Sequence, residues 1–286
     1  MTKLWILLAA SAFTLNACSA PIAMAPPGNV SSVNPSTEIM TVPVQGRQLR
    51  ISVFRPASAP QGVLFLSHGA GGSPDKMRPL IDRLLNEGFV IVAPLHRDSM
   101  NYQADERDDL QAAFVTRIAD LQATSRVAQE MFPELPLGGV GYSYGSLTAL
   151  IGGGALNDMV GGRVLAMKAV ASFSSPGLIP GVVTDAGLES VEVPTLMVTG
   201  TNDVVPGFIP DAAQHVHYFE TEPAGERYLA MVDGASHEFV YGREPGYDAA
   251  IDITVNFLKA HVLDDSAALE ALNGIMSAAP IDFRRR

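Results

Sequence analysis

Leu137-Gly138-Gly139-Val140-Gly141-Tyr142-Ser143-Tyr144-Gly145 runs from a short apolar stretch into a serine flanked by glycines, and residues 146–151 (SLTALI) continue it in small and apolar residues. The pattern predicts a strand over Leu137–Val140, a sharp turn over the G-x-S-x-G of residues 141–145, and a helix over Ser146–Ile151. A strand-to-helix turn this tight forces its serine into strained dihedrals and lifts Oγ clear of the sheet. Glycines on either side lack Cβ, so neighbouring elements can approach closely. The helix start adds unpaired N–H groups and a positive dipole end. A plain glycine-rich turn is the competing reading, and the strand–turn–helix context favours a nucleophile at Ser143.

Outward from this turn, apolar runs alternate with helical spacings. Glu38–Val44 and Gln48–Phe54 alternate in strand fashion around Gln45-Gly46 and predict a hairpin. Gly62–Ser67, Phe89–Ala93, Val164–Phe173, Val193–Thr199 and Arg227–Val232 read as further strands, several apolar on both faces. Helices are predicted over Asp75–Glu87, Asp105–Met131, Ala249–Val262 and Ser266–Met276. Strands alternating with helices imply an α/β domain with a mostly parallel sheet covered on both faces. The segment from Ser174 to Val191 is short, so a small cap or none is expected over the site.

A serine hydroxyl needs a base, and the base needs an acid to orient it. Residues 198–203 (VTGTND) place Asp203 just past a late strand, and residues 234–239 (GASHEF) place His237 just past the last predicted one. Both therefore fall at carboxyl ends of strands, the edge where open α/β sheets build sites. His237 is the expected base and Asp203 the group that holds its tautomer. The acid could instead follow the strand one earlier in the chain, but that strand ends in residues 172–176 (SFSSP), without a carboxylate, and Asp185 and Asp211 lack a strand-end position. His215-x-His217 has the look of a metal pair, but no carboxylate or thiolate cluster accompanies it, so no metal is expected. For the oxyanion, one donor is the Tyr144 N–H. The second is expected from the loop at residues 68–72 (HGAGG), with Ala70 as the choice, and His68 reads as support for that loop.

These pieces together resemble the α/β-hydrolases, and within them the dienelactone-hydrolase and platelet-activating-factor-acetylhydrolase-like esterases. The matching motifs are HGAGG at 68–72, Arg107-x-Asp109, GYSYG at 141–145, GTND at 200–203 and GASHEF at 234–239. They cover roughly residues 60–240. The resemblance implies an α/β-hydrolase fold, a Ser-His-Asp triad and a small-molecule ester as substrate; no Walker loop and no GxGxxG with a following acid is present, so no cofactor is expected. Dienelactone hydrolases use cysteine where this chain has Ser143, so their narrow lactone chemistry is not implied. Tyr142, Tyr144, Met100, Phe208 and Phe239 lie near the motifs in sequence and are candidates for an apolar pocket wall or for core packing.

Composition narrows the rest. Of 286 residues, 47% are hydrophobic and 17% charged, which excludes a disordered chain. A net charge of −11 repels phosphate backbones, so no nucleic-acid partner is expected and a neutral substrate is. Arg284-Arg285-Arg286 runs against that charge and is read as a solvated tail. The single cysteine, Cys18, permits no intramolecular disulfide.

Residues 1–18 (MTKLWILLAASAFTLNAC) carry one lysine before an apolar stretch from Leu4 to Leu15, the length of a signal-peptide core and too short to span a bilayer. Leu15-Asn16-Ala17-Cys18 resembles a bacterial lipoprotein box, which implies lipidation at Cys18. Ser19 after it resembles an outer-membrane sorting signal. Ala23-Met24-Ala25 offers an ordinary cleavage site instead, with secretion as the result. Residues 19–37 read as a flexible tether, leaving 38–286 as the hydrolase domain. A membrane is expected as partner only through the anchor, and the oligomeric state is not legible. The alternatives kept open are cleavage of amide, phospholipid or polyester bonds by the same triad, and a non-catalytic envelope binding protein that retains the fold.

Overall fold

A computed structural model describes residues 35–286. The expected signal peptide, Cys18 and residues 19–34 of the expected tether lie outside them. The antiparallel hairpin forms as expected, β1 (Ser36–Val44) turning at Gln45-Gly46 into β2 (Arg47–Arg55), so residues 36 and 37 already belong to a strand. Then follow β3 (Gly62–Ser67), α1 (Arg78–Asn86), β4 (Phe89–Pro94), α2 (Leu110–Met131), β5 (Leu137–Tyr142) and α3 (Tyr144–Gly152). The second half holds α4 (Asn157–Val160), β6 (Met167–Phe173), α5 (Asp185–Glu189), β7 (Thr195–Asn202), α6 (Ala213–Thr221), β8 (Arg227–Ser236), α7 (Tyr247–Val262), α8 (Ser266–Gly274) and β9 (Ile281–Arg285).

The sheet has nine strands in the order β1-β2-β4-β3-β5-β6-β7-β8-β9. β3 through β8 pair parallel, while β1 and β2 at one edge and β9 at the other are antiparallel. Two apolar cores result, one on each face. Leu64, Leu66, Ile91 and Val140 share one with side chains of α1, α7 and α8, and Val63, Phe65, Val90 and Val92 share the other with side chains of α2, α3 and α6. Burial on both faces is why these strands read as unbroken apolar runs. No helix among the described residues is long and apolar enough to cross a membrane.

Several boundaries differ from the sequence expectation. α2 starts at Leu110, not Asp105, because the Asp109 carboxylate accepts the N–H groups of Gln111 and Ala112 and caps the helix there. β6 starts at Met167, since the Met167 N–H closes a turn onto the Val164 carbonyl. α6 has no counterpart in the sequence reading. It is two turns long, and only His215, Tyr218 and Phe219 face inward, too few to show a period. The C-terminal arginines are not a solvated tail. Arg284 and Arg285 lie in β9 along β8, with Ile281 and Phe283 buried, and the Arg286 guanidinium donates to the carbonyls of Phe219 and Glu220. Alternation of apolar and charged residues suits an edge strand with one face on the core.

Candidate active site

β5 delivers Ser143 at the carboxyl edge of the sheet, and α3 begins at the next residue, two positions earlier than expected. Ser143 has φ 54° and ψ −123°, a conformation that costs a non-glycine residue of order 1–3 kcal/mol. The surroundings enforce it. Its N–H donates to the Phe173 carbonyl at 2.9 Å, and its own carbonyl accepts from the Ser146 N–H and hydroxyl at 2.9 and 2.7 Å. The glycines explain why the turn can be so tight. A Cβ on Gly141 would collide with the Gly145 backbone, and one on Gly145 would collide with the Ser67 carbonyl.

The loops after β7 and β8 bring Asp203 and His237 to the same edge. His237 Nε2 stands 2.9 Å from Ser143 Oγ, and His237 Nδ1 stands 2.7 Å from Asp203 Oδ1. With Nδ1–H donating to the carboxylate, Nε2 is free to accept the serine O–H. The two loops are tied to each other. The Gly234 N–H donates to Thr201 Oγ1 at 2.8 Å, and the segment after β8 is braced within itself, where the Ser236 N–H and hydroxyl donate to Glu244 at 2.7 and 2.6 Å. The Tyr142 ring lies 5.3 Å from the imidazole of His237.

Asp203 is fully buried, and burial by itself pushes its carboxyl up. Hydrogen bonds from His215 and His237, the nearby His215 ring and the Thr199 hydroxyl at 2.7 Å outweigh that and hold it below the usual carboxylate range. The group is thus an acceptor under all ordinary conditions. Asp203, His215 and His237 also present three ligand-type atoms within 4.8 Å of one another. The N–H groups that face the carboxylate are already committed to it, which makes the trio a hydrogen-bonded unit. The suggested pair His215 and His217 does not exist as a pair. Residues two apart on a helix point roughly 200° apart, so His215 faces the core while His217 faces Asp185 at 2.9 Å.

The loop at residues 68–72 passes beside the serine, and a Cβ built on Gly69 would lie 3.2 Å from Ser143 Cβ. Neither the Ala70 N–H nor the Tyr144 N–H has a hydrogen-bond partner among the described residues, and Ala70 is exposed. The loop's orientation is set from behind by Arg117, a residue the sequence reading passed over. Arg117 is 1% exposed and forks onto Asp98 at 3.0 and 2.9 Å. It also donates to the carbonyls of His68 at 2.8 Å and Gly69 at 3.2 Å, and Asp98 accepts the Gly71 N–H at 3.0 Å. In a trans peptide C=O and N–H point opposite ways. Holding the Gly69 carbonyl toward Arg117 therefore turns the Ala70 N–H to the open side. Burial pushes Asp98 up, but the arginine's charge and hydrogen bonds outweigh it and bring the carboxyl down to about 2.

His68 supports the loop as expected. Its Nδ1–H donates to the Gly69 carbonyl at 2.7 Å while Nε2 accepts the His96 N–H at 3.0 Å, and burial holds its imidazole well below the ordinary histidine range. Of the pocket-wall candidates, Phe239 is core, and Tyr144 is buried with its hydroxyl on the Leu110 carbonyl at 2.8 Å. Met100 and Phe208 are exposed, at 64% and 66%. Two hollows of about 580 and 560 Å³ lie at the opposite, amino-terminal edge of the sheet, lined by Gln61, Pro136 and Lys168 and by Glu192 and Arg227. They have no part in this constellation.

No protein-family model matches the sequence, and no curated protein matches it. Solved structures do. A dienelactone hydrolase from Anabaena variabilis ATCC 29413 superposes with a TM-score of 0.57 at 22% identity, over 80% of this chain and 99% of that one. An alpha-beta serine hydrolase homologue from Coxiella burnetii gives 0.58 at 21% identity, over 77% and 97%. As 1099 solved chains match in all, the likeness fixes the architecture and leaves the substrate open. On sheet order, strand–turn–helix geometry and these superpositions together, the chain has the α/β-hydrolase fold, dienelactone-hydrolase-like in its architecture.

Proposed function

We propose that this protein is a serine hydrolase that cleaves carboxylic esters through an acyl-enzyme. The observation that carries the reading is the unbroken relay from Ser143 Oγ through His237 to Asp203, at 2.9 and 2.7 Å. Ser143 Oγ attacks the ester carbonyl carbon as His237 Nε2 takes its proton. The carbonyl π pair moves to oxygen, and the resulting oxyanion is held by the N–H groups of Ala70 and Tyr144. Collapse breaks the bond to the alcohol oxygen, which receives the proton from His237. Water then repeats the sequence against the acyl-serine and releases the acid. Asp203 remains ionised throughout and stabilises the imidazolium.

Arg117 serves this reading by keeping the Ala70 N–H turned outward. The exposed Met100 and Phe208 and the five-residue α5 between β6 and β7 favour an open cleft for small esters over a lidded one. On residues 1–25 we place the protein in a bacterial envelope, held by a lipid on Cys18. Loss of metabolic palmitate labelling in Cys18→Ser is the expected result there.

A fluorophosphonate tests the chemistry directly. The wild type should be labelled at Ser143 and hydrolyse nitrophenyl acetate, and Ser143→Ala should lose both. Full esterase activity in Ser143→Ala refutes the assignment, and a wild type that neither labels nor turns over any of an ester, peptide and phospholipid panel favours the non-catalytic binding protein.

A further inference from the structure

The acid of the relay serves two imidazoles. His215, on α6, is fully buried with its ring behind Asp203. Its Nε2 lies 3.0 Å from the Asp203 carbonyl oxygen and 3.1 Å from Asp203 Oδ1. Both partners are acceptors, so Nε2 carries the hydrogen. Nδ1 lies 2.7 Å from Ser175 Oγ and accepts the Ser175 O–H, while that oxygen accepts the Gly177 N–H at 3.3 Å. The tautomer of His215 is thus fixed from both sides. Its ring stands 6.3 Å from that of His237 and within 25° of parallel, and the two rings bond the same carboxylate oxygen.

We propose that His215 is a positioning residue for the reaction: one N–H grips both the main chain and the carboxylate of Asp203, with Ser175 as its backstop. The inference rests on the hydrolase reading. Its physical need is visible in the chain path. Asp203 sits just past the end of β7, ahead of a loop in which Val204, Pro206, Gly207 and Phe208 are exposed and a lone bridge joins Val205 to Ile209. His215, on the helix that ends this loop, ties its start back to the core. A second N–H on Oδ1 also spreads the carboxylate's charge, so the hydrogen on His237 Nδ1 stays with the ring. The other titratable groups around the pair are Tyr218 beside Ser175, and Tyr142, Tyr241 and Glu238 on the His237 side.

The test compares His215→Phe, which keeps a ring and removes both nitrogens, with His215→Gln, whose amide can donate to Asp203 and accept from Ser175. Ser175→Ala is the third variant. Readouts are the urea midpoint, kcat and KM for nitrophenyl acetate, the acid limb of kcat/KM, and the titration of the His237 ring by NMR. In His215→Phe, kcat should fall roughly 10- to 100-fold, the worth of one hydrogen bond to an ionised group, with KM little changed. The acid limb and the His237 titration should move to higher pH together, by on the order of half a unit, because the carboxylate loses a competing donor. His215→Gln should restore most of both. A folded His215→Phe with wild-type kcat and an unmoved His237 titration overturns the proposal, as does a Gln variant that loses activity like Phe with no movement of the titration. If the Phe variant does not fold, Ser175→Ala decides: unchanged kcat and titration overturn the proposal. A wild type that turns over no ester sinks the hydrolase reading alone, since the His237 titration still reports coupling through Asp203.

Discussion

Arg117→Met removes the guanidinium behind the loop at residues 68–72 and keeps most of the side chain's length. Four hydrogen bonds between 2.8 and 3.2 Å disappear, two to Asp98 and one each to the carbonyls of His68 and Gly69. No water can replace them at 1% exposure. Stranding the buried Asp98 carboxylate should cost about 3–5 kcal/mol of stability at pH 7, read from urea unfolding by circular dichroism. The second loss is catalytic. Without Arg117 the Gly69 carbonyl keeps only the His68 Nδ1–H and the Gly72 N–H, the loop loosens, and the Ala70 N–H strays from the proposed oxyanion position; complete loss of one such donor slows turnover about 10²–10³-fold. Adding Asp98→Asn to Arg117→Met separates the two effects. The double variant should regain part of the stability, because no charge is left stranded, and should not regain kcat, because the His68 and Gly69 carbonyls still lack the guanidinium that braces them. A double variant with wild-type kcat, or Arg117→Met with kcat within twofold of wild type, refutes the claim that this ion pair orients the site.

The same pair sets an acid limit. Asp98 titrates at about 2 in the folded protein, below its usual 3.8, so its contribution is present above pH 4 and lost as pH falls toward 2. That is of order 2 kcal/mol, and the corresponding step should vanish from the pH-dependence of urea unfolding in Asp98→Asn. Asp203→Asn should keep the fold and lose about 10⁴-fold in kcat, as an amide no longer fixes the His237 tautomer; a loss under tenfold would contradict the assigned role. Tyr144→Phe removes only the hydroxyl bonded to the Leu110 carbonyl. It should lose about 1 kcal/mol of stability with kcat nearly unchanged, since the proposed oxyanion donor is the backbone N–H; a hundredfold fall in kcat would place the phenol in the reaction. Deleting residues 281–286 should remove the cover that Ile281 and Phe283 give the core, bare the edge of β8 and lower the midpoint of thermal unfolding; an unchanged midpoint would restore the reading of this segment as a loose tail.

Some of this was determined by the sequence alone. Unbroken apolar runs such as residues 62–67 and 89–93, bounded by glycine and proline, read as strands covered on both faces, and a serine between glycines at the end of one such run reads as a raised turn. Those are local consequences of sterics and burial, so they survive without coordinates. Ser143, Asp203 and His237 were legible for the same reason, each being the residue just past a strand. Tertiary structure decided the rest. Arg117 and His215 lie inside helices, where nothing local marks a side chain as turned toward a loop 48 residues away or toward a carboxylate 12 residues back. His215 was weighed only as half of a metal pair, and it took the direction of α6 to send it and His217 to opposite sides. The arginines at 284–286 looked like tail because an edge strand is defined by the partner it borders, and β8 is more than forty residues upstream. Hydrogen bonds that orient a site run between distant segments, and their partners are chosen by packing that no local pattern records.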